Sequence, residues 1–328
     1  MNQYTILLSA PYMLPYIDCF LPILDQLGCD VIIPDVNERL SEEEILVYAG
    51  KFDGTICGDD RYSGRVIKKC APRLKVISKW GTGIDSIDKS AADALDIPVF
   101  RTTNAFTAPV SDSVLAYILA FSRKQPWLDR NVKRGGWKKI PGKTLAESIL
   151  GVIGVGNIGK AVLKKAHAFN MRLLGNDIVP ISEEFTRKFN VDMVSLEDLL
   201  SQADFVSINC DLNPTSRHLI NKKVLSLMKS SAVIINTARG PIVDEPALIE
   251  ALERKNIAGA ALDVFETEPL QDDSPLLSMD QVMLAPHNSN SSPLAREAVH
   301  WNTIRNLLVG LGLPLDKFDA IKKEKMRM

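Results

Sequence analysis

The sequence predicts an α/β protein with two parallel-sheet domains, one inserted in the other. Short apolar runs alternate with helical patterns from end to end. The 328 residues are too many for one ordinary core and suit two α/β domains. Near the middle, at 148–167, a strand runs straight into a glycine-rich turn and a helix, which restarts the series.

In the first hundred residues the strand candidates are Thr5–Leu8, Val31–Ile33, Thr55–Cys57, Val76–Ser78 and Val99–Phe100. The stretch Ser41–Ala49 opens as a helix, because Ser41 with Glu44 three residues later makes a capping box. A long helix is predicted over Ala108–Lys124, with Val110, Val114, Ile118 and Phe121 on one face. The basic, glycine-containing segment Trp127–Ile140 follows and reads as a surface loop or a subunit-interface arm. A second series of strands occupies Ser148–Ile153, Met171–Asn176, Phe205–Asn209, Ala232–Asn236, Gly259–Leu262 and Gln281–Ala285, with a helix at Glu245–Arg254. The last long helix, Pro293–Gly310, is long enough to cross back to the first domain. The expected division is therefore 1–104 with 291–328, and 105–290 as the inserted domain. The basic tail after Lys317 reads as a solvated end.

Composition narrows the function classes. With 46% hydrophobic and 24% charged residues the chain has the make-up of a soluble globular protein. Thirty-nine basic residues against forty acidic ones leave no electrostatic reason to expect nucleic acid or an anionic membrane as partner. No apolar run approaches the roughly 20 residues of a membrane helix. The start, MNQYTILLSAPYML, lacks a basic region and reads as a buried first strand. Cys19, Cys29, Cys57, Cys70 and Cys210 form no C-x-x-C pair; an odd number of scattered thiols suits a reducing cytoplasm and predicts neither disulfides nor a metal cluster.

The most informative motif is SILGVIGVGNIGKAV, an apolar strand leading into Gly154-x-Gly156-x-x-Gly159 and then a helix. Gly154 permits the tight turn, Gly156 lets backbone approach a pyrophosphate, and Gly159 lets helix pack on strand. Backbone N–H groups and the helix N-terminus then face the phosphates. Asp177 ends the next strand, where an acid binds ribose hydroxyls; it would repel a 2′-phosphate, and Ile178 and Val179 offer no cation to receive one. The cofactor expected is NAD. These features make the inserted domain Rossmann-like and its companion Rossmann-like or flavodoxin-like.

Four histidines offer proton chemistry. His167 and His300 lie inside helices and read as packing or surface residues, and His218 follows a turn where it can bond backbone. His287 follows Pro286 at the end of the strand QVMLA, and ligands gather at the carboxyl ends of parallel strands. Arg239 follows the strand Ala232–Asn236, and its planar fork suits a carboxylate. Glu268 lies beyond the strand Gly259–Leu262, where an acid can hold one imidazole nitrogen and favour the protonated ring.

These residues resemble the D-isomer-specific 2-hydroxyacid dehydrogenase family. The likeness rests on GTGIDSID at 81–88, GVGNIG at 154–159, INTARGPIVDEPAL at 235–248, ALDVFETEP at 261–269 and the pair Pro286-His287, and it covers about residues 50–310. The resemblance implies that Arg239, Glu268 and His287 are catalytic. It implies that Asn157, Ile158, Asp177, Cys210, Thr237 and Ala238 line NAD and that Asp263 bonds the nicotinamide carboxamide. Gly81, Thr82 and Gly83 resemble the family's carboxylate-binding loop, with Arg239 and His287 completing the substrate set. Lys79 stands where phosphoglycerate dehydrogenases often carry a cation, although a lysine there also reads as solvated, and Trp80 is bulky enough to reshape the pocket. The implied activity is NAD-dependent hydride transfer at C2 of a small D-2-hydroxy or 2-oxo acid, D-3-phosphoglycerate or, alternatively, glyoxylate and hydroxypyruvate. A homodimer is implied as well. Two rivals share the fold: a non-catalytic NAD-sensing protein, and formate dehydrogenase, which carries glutamine where Glu268 stands.

Overall fold

The computed structural model describes residues 3–325. They divide into two compact units, the first taking in the described residues up to Ala105 and from Ser292 onward, the second Phe106–Ser291.

In the first unit the strands are β1 (Tyr4–Leu8), β2 (Cys29–Ile32), β3 (Gly54–Cys57), β4 (Val76–Lys79) and β5 (Val99–Arg101). They pair in the order β2-β1-β3-β4-β5, every pairing parallel. β3 and β4 are buried along their whole length, as expected of a parallel sheet covered on both faces. The helix Pro293–Gly310 belongs to this unit, burying Val299, Trp301, Ile304, Leu307 and Leu308, and Ser78 Oγ donates to Thr303 O at 2.8 Å. Each aliphatic side chain so buried contributes about 1.5–3 kcal/mol.

The second unit holds β6 (Ile149–Ile153), β7 (Arg172–Asn176), β8 (Val191–Met193), β9 (Phe205–Ile208), β10 (Val233–Asn236), β11 (Gly259–Leu262) and β12 (Val282–Leu284). Their order is β12-β11-β10-β9-β6-β7-β8, again all parallel. Strand residues alternate between two cores: Ile235 packs with Val114, Ile118 and Phe121, and its neighbour Ile234 with Leu199, Leu248 and Leu252. The helix Thr107–Arg123 buries Val110, Val114, Ile118 and Phe121, the face its periodicity predicts.

Three elements differ from expectation. Trp127–Ile140 is not a loop throughout, because Gln125–Lys133 is helical. Lys124, left-handed at φ 58°, ends one helix and starts the next, and none of the new helix's residues is buried. Trp127 lies 5.1 Å from Phe121, ring to ring, and donates to Asp280 O at 3.0 Å, whereas Trp137 is 85% exposed. The short β8 escapes sequence patterning. The tail is not wholly solvated either: Asp316–Lys325 is helical and buries Phe318 completely, while 326–328 lie outside the described residues.

No described helix is long and apolar enough to cross a membrane. Among the described residues no group of three or more His, Cys, Asp or Glu could hold a metal ion, and the five cysteines are free thiols.

Candidate active site

Two places in the second unit gather chemistry at the carboxyl end of its sheet. The first is between β6 and β9, neighbours that the chain leaves in opposite directions, a position where parallel sheets bind ligands. The loop after β6 begins at Gly154, whose φ of 87° favours glycine and whose Cβ would lie 2.5 Å from Cys210 N in the loop after β9. At Gly159 a Cβ would meet Gly154 O at 2.0 Å, so the helix Asn157–Ala168 can seat against the strand only with glycine there. Gly156 is different, because nothing lies within 4 Å of its would-be Cβ. No protein packing demands glycine at 156, and the backbone there is open to the approach of a ligand.

Around this turn the residues fit a dinucleotide. Asn157 and Ile158 open the helix behind Gly156, presenting N-terminal N–H groups. Asp177 follows β7, and its carboxylate accepts Val155 N at 2.6 Å and Val179 N at 2.9 Å, which fixes the acid against the turn. Ile178 beyond it is 85% exposed. Thr237 Oγ1 is buried with no hydrogen-bond partner among the described residues, an orphan that a bound ligand would satisfy. Ala238 N donates to Asn236 Oδ1 at 3.1 Å. Burial pushes the Cys210 thiol up to about 11, so it stays protonated and apolar at neutral pH.

The second place lies at the ends of β10, β11 and β12, three adjacent strands. Arg239 follows β10, Glu268 follows β11 and His287 follows β12. His287 Nδ1 and Glu268 Oε2 are 2.9 Å apart, and Phe265 N donates to Glu268 Oε1 at 3.0 Å. Burial alone would raise the Glu268 carboxyl. The bond to His287, its charge, the Phe265 N–H and the Arg239 charge outweigh that and hold it below the usual range. His287 adopts a left-handed φ of 49°, sparsely populated for such a residue and costing on the order of 1–3 kcal/mol. Asp263, fully buried, over-determines that turn. Its carbonyl accepts His287 N at 2.8 Å, and its two carboxylate oxygens accept Asn288 N at 2.8 Å and Ser289 N at 2.9 Å. The Asn288-Ser289-Asn290 segment is thus tied down by backbone bonds, and Asp263, expected at the nicotinamide, already supports the histidine loop. Asn236 plays the corresponding part for Arg239, donating from Nδ2 to Arg239 O at 2.9 Å.

Sequence reading passes over Asn236, and over a second imidazole–carboxylate pair, His218 Nε2 and Glu266 Oε1 at 2.7 Å. His218 also bonds backbone, N to Pro241 O at 2.9 Å. Asn236 stands inside INTARGPIVDEPAL and Glu266 inside ALDVFETEP, but the partners of each are visible only once the loops are folded. His167 stays on its helix near Phe189, and His300 is buried.

In the first unit, Gly81 follows β4 with φ 125°, its carbonyl accepts Thr102 N at 2.8 Å, and Thr82 Oγ1 donates to Thr102 O at 3.0 Å, so β5 braces the Gly81-Thr82-Gly83 loop. Lys79 is not solvated: it is 4% exposed and pairs with Asp59 at 2.9 Å. Trp80 turns into the fold, 5.1 Å from Tyr12 and donating from Nε1 to His300 Nδ1 at 2.9 Å. Burial, reinforced by Arg296, lowers His300 to about 4, so it is a neutral acceptor.

The comparisons with known proteins identify the family. Residues 115–289 match the model of the D-isomer specific 2-hydroxyacid dehydrogenase NAD binding domain. The glyoxylate reductase of Thermofilum pendens is 37% identical over 86% of this chain and 86% of its own length. The chain belongs to the D-isomer-specific 2-hydroxyacid dehydrogenase family. As a member it is an NAD-dependent oxidoreductase of 2-hydroxy acids. The D-3-phosphoglycerate dehydrogenase of Methanocaldococcus jannaschii is 38% identical over 80% of the chain, which spans about half (51%) of that relative. Among solved structures, the D-lactate dehydrogenase of Aquifex aeolicus complexed with NAD and lactic acid superposes with a TM-score of 0.82, at 26% identity over 96% of this chain and 98% of that one.

Proposed function

We propose that His287 exchanges the hydroxyl proton of a small D-2-hydroxy acid, or returns it to the 2-oxo acid, while Glu268 and Arg239 serve the same carbon. The observation that carries this reading is the 2.9 Å His287–Glu268 pair beside Arg239. The carboxylate at Nδ1 orients the ring, favours its protonated form and assigns proton exchange with substrate to Nε2. Arg239 clamps the substrate carboxylate and polarises the 2-oxo group. When bound, NAD supplies the hydride acceptor, and NADH the donor, at C2. Gly154, Gly156, Asn157, Ile158 and Gly159 hold its pyrophosphate, Asp177 its ribose, and Cys210, Thr237, Ala238 and Asp263 the remainder. In the first unit, the substrate domain in this reading, Gly81, Thr82 and Gly83 offer backbone N–H groups to the carboxylate. Five free thiols suit a reducing cytoplasm, and the exposed Trp137 beyond the helix Gln125–Lys133 suits an arm that meets a second copy in a homodimer.

The test is NADH oxidation against glyoxylate, hydroxypyruvate, phosphohydroxypyruvate, pyruvate and 2-oxoglutarate. Turnover of a short member supports the reading; silence across the panel with NADH bound removes it. Arg239→Ala lowers kcat/KM for that substrate by about 10²–10³-fold, since it loses both a charge-assisted fork and an electrostatic stabiliser; normal kinetics would refute the clamp. Asp177→Ala weakens NAD binding about tenfold and brings NADP closer to it, because the repulsion of a 2′-phosphate is gone. An unaltered preference between the two in titrations would show that Asp177 does not read the ribose.

A further inference from the structure

The carboxyl end of the first unit's sheet carries a charged pair that the reading above does not use. β1 and β3 are neighbours, yet the chain leaves them in opposite directions, toward β2 and toward β4. Ligands gather at such a reversal in open parallel sheets. Ser9 follows β1, and Gly58-Asp59-Asp60 follows β3. Asp60 is fully buried and committed to the fold, accepting Ser9 Oγ at 2.8 Å, Gly58 N at 2.8 Å and Leu40 N at 2.5 Å. That fixed turn holds Asp59, whose side chain is 47% exposed, 2.9 Å from Lys79 Nζ. Lys79 ends β4 almost fully buried, donates to Trp80 O at 3.2 Å, and sets Nζ 3.7 Å from where a Cβ on Gly81 would stand.

The ammonium therefore rests against the first glycine of the loop assigned above to the substrate carboxylate. Alone, a lysine there would draw a second anionic group on the substrate. Asp59 supplies that negative charge from the protein itself, on the solvent side of the pair, and meets an incoming phosphate with like charge.

We propose that Asp59, paired with Lys79, is a charge filter beside the Gly81–Gly83 loop that selects 2-oxo acids with an uncharged substituent at C3 over phosphorylated ones. The proposal rests on the assignment of that loop to the substrate carboxylate. Asp59 acts through Lys79 and through the field it sets, so it is a specificity-determining residue rather than a catalytic one.

The experiment compares hydroxypyruvate with phosphohydroxypyruvate in the full chain with NADH, for wild type, Asp59→Asn, and Asp59→Asn combined with Lys79→Met. Wild type favours hydroxypyruvate by more than tenfold in kcat/KM. Asp59→Asn, half exposed and nearly isosteric, shifts the ratio at least tenfold toward phosphohydroxypyruvate, and adding Lys79→Met cancels the shift. Equal use of both substrates by wild type, or an unmoved ratio in Asp59→Asn, overturns the filter. Calorimetric binding of 3-phosphoglycerate and glycerate to the NADH-loaded protein separates the two readings. A chain that turns over no 2-oxo acid yet gains tenfold for 3-phosphoglycerate over glycerate in Asp59→Asn keeps the filter and loses the dehydrogenase assignment. One that reduces hydroxypyruvate with no such gain keeps the assignment and loses the filter.

Discussion

Replacing His287 by glutamine lowers kcat by about 10²–10⁴-fold while NADH binds as tightly as before. Glutamine is short of a titratable group but can still donate to Glu268 Oε2, so the loop after β12 keeps its partner. The backbone turn does not depend on the side chain, because Asp263 holds it through the N–H groups of His287, Asn288 and Ser289. What disappears is proton exchange, and with it the pH response. The charge of His287 is one of the influences that hold Glu268 below its usual range against the pull of burial, and glutamine removes it, so in the variant that carboxyl titrates at higher pH. A carboxyl lowered in the folded state adds stability above its unfolded pKa and loses it as pH falls through the folded one. Acid unfolding of the variant therefore begins at higher pH than in wild type. Steady-state rates, NADH fluorescence titration and urea midpoints between pH 3 and 6 check the three effects; an unchanged kcat removes His287 from the mechanism.

The parts legible in the sequence are those where a local pattern and a long-range consequence coincide. The strand preceding Gly154 is an apolar run, the glycines follow at fixed spacing, and the fold needs both together, so the β6 turn can be read without coordinates. The same holds for Arg239, Glu268 and His287: each lies just past an apolar strand, and the parallel order β10-β11-β12 brings the three strand ends side by side. His218 and Glu266 are not legible as a pair, because their contact joins loops distant in sequence; the Asn236 side chain bonds Ala238 and Arg239 beside it, but a strand-end asparagine carries no period that signals this. The helix Gln125–Lys133 stays hidden for another reason, since it is short, buries no residue and opens on Gln125-Pro126 without a side-chain cap. Lys79 is misread as solvated because a lysine's burial is decided by its partner, and Asp59 lies twenty residues earlier on another strand's loop.

Gly240→Ala destabilises the protein by about 3 kcal/mol and lowers kcat about 10²-fold in the fraction that remains folded. A Cβ at Gly240 would lie 1.8 Å from Phe265 O, 1.9 Å from Phe265 C and 2.5 Å from Glu266 N, all backbone atoms that cannot swing aside as a side chain can. The loops after β10 and β11 must separate. Arg239 immediately precedes the glycine, and Phe265 N is the donor that fixes Glu268, so the separation moves the guanidinium and the carboxylate apart. Misplacement by about 1 Å suffices for a hundredfold loss when catalysis depends on alignment. Gly156→Ala provides the contrast: its Cβ enters open space, so the urea midpoint stays at the wild-type value while NADH binding weakens. Urea melts paired with NADH titrations of the two variants distinguish a glycine required by the protein's own backbone from one required by its cofactor. A Gly240→Ala protein with wild-type midpoint and turnover would show that the two loops part without cost and that the site does not depend on their contact.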